Sequence, residues 1–172
     1  LDWTQHVNHH NTFVGNIVEG EIVIHTGTDT IVEGNVVRDS ITIHTACHRV
    51  IVRNNVVGQT IVLRGGVDGA PLLDPARRSS HLIADGNLVG GAVTAIRTVG
   101  ADNVTISNNT TLGGSTSGIR AEMGTDVTVS GNHITGCTVG FAQPYGTLEN
   151  VYLEGLRITG NKIIATGAYA LQ

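Results

Sequence analysis

EIVIHTGTDTIVEGNVV at positions 21–37 is followed by SITIHTACHRVIVRNNVV at 40–57, and the two stretches say nearly the same thing. After one polar residue each reads apolar, any, apolar, then histidine, threonine and a small residue, so His25 and His44 fall in one slot. Each then alternates again and closes on an asparagine. That closing phrase recurs along the chain as NTFVGN (Asn16), TIVEGN (Asn35), VIVRNN (Asn55), LIADGN (Asn87), VTISNN (Asn109), VTVSGN (Asn132) and LRITGN (Asn161). The intervals are 19, 20, 32, 22, 23 and 29 residues. A period near twenty is the mark of a stacked repeat. The two long intervals hold insertions, GGVDGAPLLDPARRSS at 65–80 and QPYGTLENVYLEG at 143–155.

Within a unit the pattern alternates apolar and polar over short runs and then breaks at Gly, Asn or Asp, which is the strand period of two. A unit this short closes no core alone. Copies stacked about 4.8 Å apart do, with Ile and Val columns inside and each strand bonded to its equivalents. The recurring asparagine sits at a turn, where it tolerates left-handed dihedrals, and identical asparagines can pass amide hydrogen bonds from coil to coil. The expected fold is all-β: a right-handed parallel β-helix of about seven coils, forming a single domain over 1–172.

Composition agrees. The chain has 23 glycines, 3 prolines and only 3% aromatics, a balance that favours many short strands. A net charge of −4 gives no reason to expect nucleic acid, and no apolar run reaches the ~20 residues of a membrane span. The chain opens on Leu1, so a segment of a larger protein is expected, with flanking domains or homo-oligomer partners covering the open solenoid ends. Cys47 and Cys137 lie about four coils, roughly 19 Å, apart and read as packing residues without a disulfide.

Aligned on their asparagines, the units place a basic residue after the last inward apolar position: His25 (IVIH), His44 (ITIH), Arg64 (IVLR), Arg97 (TAIR) and Arg120 (SGIR), ending at Ala142 (VGFA). The preceding aliphatic faces the core, so the base faces solvent. One column of five bases, free of Asp, Glu and Lys and flanked by small residues, is expected. Stacking like charges ~5 Å apart costs about 0.8 kcal/mol per contact even in water, which argues for an anionic ligand. A linear ladder without aromatics suits an acidic polysaccharide or cell-surface glycan better than a nucleic acid.

Other polar groups are weaker candidates. Asp29, Asp102 and Asp126 (GTD, GAD, GTD) are read as turn aspartates, since glycoside hydrolysis needs two carboxylates across one bond. His6, His9 and His10 (HVNHH) lie near a terminus that enforces no metal geometry. Glu19 and Glu21, on one side of one strand, are read as exposed strand acids rather than ligands of a hard cation.

The run from 21 to 66 resembles the β-helical polysaccharide lyases of the chondroitinase B and alginate lyase type, within the pectin-lyase-like superfamily. The resemblance implies a basic catalytic residue assisted by an arginine, beside a calcium held by acidic residues. Matching IVLRGG (61–66) to the arginine phrase puts Arg64 in that role and His44 in the position of the family's lysine. The alternative register puts His25 and His44 in the two roles, and SGIR with Arg120 resembles a later phrase. Phage tailspike modules share the superfamily shape. The expectation is a module of an extracellular or virion-surface tail protein that contacts acidic polysaccharide through His25, His44, Arg64, Arg97 and Arg120. It needs no cofactor. The alternatives are a β-eliminating lyase using His44, Arg64 and calcium, and a purely structural solenoid.

Overall fold

The computed structural model describes residues 8–65, 78–91, 93–113, 116–142, 153–164 and 169–171. Most of the two insertions lies outside these residues, as does His6. A representative coil runs through Gly27–Glu33, turns at Gly34 and Asn35, and continues through Val36–Val37 and Ser40–Ile43. Each segment pairs in parallel with its counterpart one coil on, so three sheets run the length of the molecule. The chain forms the expected right-handed parallel β-helix.

Alternation builds the core. In the first sheet Val32, Val52, Ala84, Ile106 and Val129 stand in register and face inward, each almost wholly buried. In the third sheet Ile41, Ile61, Ile96 and Ile119 do the same. Burying each isoleucine contributes about 1.5–3 kcal/mol relative to leaving it in water. Both cysteines are free and buried in this interior.

The corner between the first and second sheets carries the seven asparagines. Each side-chain amide donates to the carbonyl oxygen of the next, from Asn16 to Asn35 and on to Asn161, at 2.8–3.0 Å. The same oxygen accepts the backbone N–H of the preceding asparagine, as between Asn35 and Asn55 at 2.9 Å. The amide's other hydrogen goes to a main-chain carbonyl of the coil before, as from Asn87 to Val52 at 2.9 Å. Asn35, Asn55, Asn87, Asn109 and Asn132 are buried. A buried polar column is stabilising only when every member is bonded, and this one is. The left-handed residue is not the asparagine itself but the one before it: Gly15, Gly34, Asn54, Gly86, Asn108, Gly131 and Gly160 all have φ between 54° and 66°. Glycine and asparagine are the residues that adopt that conformation at least cost. The phrase GN or NN is therefore the turn, and its second letter is the ladder.

Candidate functional site

The outer face of the third sheet carries all five predicted bases, but not in one column. Register sets Ile24 beside Ile43 and Ile43 beside Leu63, so His25, His44 and Arg64, the residues that follow, share a row. Arg64 then pairs with Val99, while Arg97 pairs with Val62 on one side and Arg120 on the other. The expected ladder is two half-columns on one face, offset by two residues or about 7 Å along the strand. The cause lies inside. Coils one to three place the base after the second inward residue (Ile24, Ile43, Leu63). In the next two coils it follows the first, Ile96 and Ile119, because the second inward positions are Thr98 and Ala121, both fully buried. A buried threonine does not announce itself as core in a sequence. At the step, Gly65 donates its N–H to Val99 at 2.8 Å, and a Cβ there would come within 1.6 Å of the Gly100 carbonyl oxygen.

The column, expected to be free of acids, holds one. Glu122 pairs with Val99 and so stands in the row of His44 and Arg64. Its Oε1 accepts from Arg97 Nε at 2.6 Å and lies 2.8 Å from Arg120 Nε in a second ion pair. The glutamate is buried, whereas each arginine side chain keeps about a third of its surface exposed (33% and 32%). One buried carboxylate thus holds two guanidinium groups by their Nε edges, and the cluster retains one net positive charge. The like-charge repulsion that pointed to an external anion is relieved from within.

His25 and His44 stack, with ring centroids 4.2 Å apart and planes 16° from parallel. His25 is exposed and His44 half-buried.

The outer face of the first sheet holds a column that the sequence pattern alone did not single out. His10, Asp29, Arg49, His81, Asn103 and Asp126 each lie six positions before a ladder asparagine, and each has φ between 53° and 58°. Non-glycine residues in this conformation cost on the order of 1 kcal/mol or more each. A polar residue at a constant offset from the asparagine was the available signal. Asp29 and Asp126 belong to this column rather than to local Asx turns. Asp102 is a cross-coil acceptor, bonded by Thr125 N and Oγ1 at 3.0 Å. Asp29 takes Arg49 in a two-pronged pair at 2.5 and 2.8 Å, and this hydrogen-bonded cation holds its carboxyl below the ordinary range. Glu19 pairs loosely with Arg38 at 3.7 Å, and Glu21 is exposed.

Among the described residues no three His, Cys, Asp or Glu side chains gather as a metal site would require. The His9 and His10 rings are 6.2 Å apart and tilted. Burial pushes the thiols of Cys47 and Cys137 up, towards the protonated form.

No curated protein matches the chain. Residues 75–171, more than half of the sequence, match the family described as NosD, periplasmic copper-binding protein. That family shares the pectin lyase-like right-handed β-helix found here in the stacked sheets and asparagine ladder. The chain belongs to the NosD family.

Proposed function

We propose that the chain is a β-helical module working outside the cytoplasm, which lays the outer face of its third sheet along an extended acidic glycan. The observation that carries this is the Arg97–Glu122–Arg120 cluster. Arg97 is oriented by its Nε hydrogen bond to Glu122 and Arg120 by an ion pair to the same oxygen, and their terminal N–H groups remain for a ligand's carboxylate. Arg64, His44 and His25 extend the basic surface diagonally across the neighbouring coils. The family's periplasmic description agrees with a place on the outer side of the membrane. The same surface suits a module of a larger extracellular or virion tail protein.

Affinity electrophoresis through gels containing polygalacturonate or a neutral glucan tests this. Retardation by the polyanion is expected and should fade as salt rises, since exposed charges are screened over ~8–10 Å. The triple change Arg97→Gln, Glu122→Gln and Arg120→Gln removes the charges without leaving a buried carboxylate unpaired, and should abolish retardation while the thermal transition persists. Equal mobility of native and variant protein in both gels would leave a purely structural solenoid.

A lyase is the second reading, favoured by the shared row of His44 and Arg64: a base beside a carboxylate neutraliser. It predicts unsaturated uronide product that vanishes in His44→Ala. Calcium, implied by the lyase resemblance, finds no cluster of three acidic side chains among the described residues.

Copper enters through the family's description, and the described residues do not fit it. The stacked rings of His25 and His44 set their in-plane nitrogen lone pairs side by side rather than converging on one ion. The thiolate, not the thiol, is the sulfur ligand, and both cysteines are buried with raised pKa.

A further inference from the structure

The outer face of the first sheet changes character halfway along the solenoid. In the second and third coils its polar groups satisfy one another: Asp29 with Arg49, and Glu33 with Arg53 at 2.8 Å. Along one strip of the later coils they do not. Asn103, Thr105, Asp126, Thr128 and Arg157 line an open groove of about 380 Å³ that begins at His81. Among the described residues, the side chains of Asn103, Asp126 and Arg157 make no hydrogen bond or ion pair.

The groove has two parallel rows. One is the left-handed column, in which His81, Asn103 and Asp126 succeed one another coil by coil. The other is the register row Ile83, Thr105, Thr128 and Arg157. Beyond it Asp85 is held by Ser107 at 2.6 Å and Asn108 at 2.9 Å. Gly155 continues the left-handed column past Asp126, and a Cβ there would meet Asp126 Oδ1 at 2.7 Å.

We infer that this groove is a binding site for a short neutral oligosaccharide, separate from the acidic-glycan surface on the third sheet. The chemistry of the lining selects the class. Asp126 only accepts, Arg157 only donates, and Asn103, Thr105 and Thr128 do both, which matches hydroxyl groups that donate and accept alike. The formal charges of Asp126 and Arg157 cancel, so the groove has no net attraction for a polyanion. Four coils at about 4.8 Å give a run of roughly 14 Å, enough for about three sugar units. Ile83 supplies an aliphatic patch for a ring's C–H face.

Amide-resolved NMR titration with cellotriose and chitotriose, and with trigalacturonate as the anionic comparison, tests the site. One or both neutral sugars should move resonances of residues 81–83, 103–105 and 126–128 saturably, while trigalacturonate leaves them in place. Asn103→Gly keeps the left-handed backbone and removes the amide; Asp126→Asn keeps both shape and backbone. Each should weaken binding about tenfold, the loss of roughly one strong hydrogen bond. Thr128→Val, checked by its unbound spectrum, serves if either variant folds poorly. No saturable shift with either neutral sugar, shifts confined to the third sheet, or unchanged affinity in the folded variants would overturn the assignment. The acidic-glycan reading would stand or fall separately, because none of these residues belongs to it.

Discussion

The asparagine corner and the basic face of the third sheet are both built from one residue per coil, yet only the corner keeps its register throughout. From Asn16 to Asn161 the amide ladder passes unbroken through intervals as different as 19 and 32 residues. The basic row steps sideways by two positions between Arg64 and Arg97. The difference is burial. Each of the five inner ladder asparagines serves neighbours on both sides inside the protein, so a slip would strand several buried polar groups at once. A basic side chain at the surface can move two positions along its strand and take a new partner there, as Arg97 and Arg120 do with Glu122. Register is dictated from inside, and the outside follows.

The comparison is broken most directly at the ladder. Asn109→Leu strips the acceptor from the backbone and side-chain N–H of Asn87 and the donors to Asn132 and Ala84. It should cost on the order of 4 kcal/mol in urea unfolding, from several stranded groups at ~1–3 kcal/mol each. A loss below ~1 kcal/mol would mean that the ladder merely accompanies the fold. Next comes the step itself. Gly65→Ala drives a Cβ into the Gly100 carbonyl and should cost about 2–3 kcal/mol as overpacking, detected as a lowered thermal midpoint. A neutral result would show that the third and fourth coils can separate there without loss.

The smallest effect belongs to the exposed column on the first sheet. Asp29, with its pKa lowered from 3.8 by Arg49, contributes stability that is present above the unfolded value. That contribution fades as pH falls through the depressed folded value. Arg49→Ala should flatten the acid limb of the stability curve below about pH 4, by lowering stability slightly near neutrality and leaving it unchanged at the acid end. An unaltered acid limb would show that the pair adds nothing to folding.

Much of this was legible in the chain. The repeat in GN and NN marked one corner of every coil, because a left-handed turn and a buried amide ladder each admit few residue types. The basic slot was legible as residue types but not as geometry, since aligning IVLR with TAIR assumed that the last apolar letter before the base faces the same core column. Thr98 and Ala121 occupy that column instead, and neither letter reads as core. Glu122, two residues past Arg120, lay in plain sight, yet only the register of two coils brings it to Arg97 as well.

By itself the sequence determined the architecture: parallel strands, about seven coils and one asparagine corner in each. These follow from period, alternation and turn chemistry, which are local and repeat with the chain. What only the tertiary structure decided is which outward side chains become neighbours. Those contacts cross coils nineteen or more residues apart, and a two-residue shift that leaves the core packed rearranges all of them. The half-columns, the bridging glutamate, the stacked histidines and the open groove on the first sheet are consequences of that register.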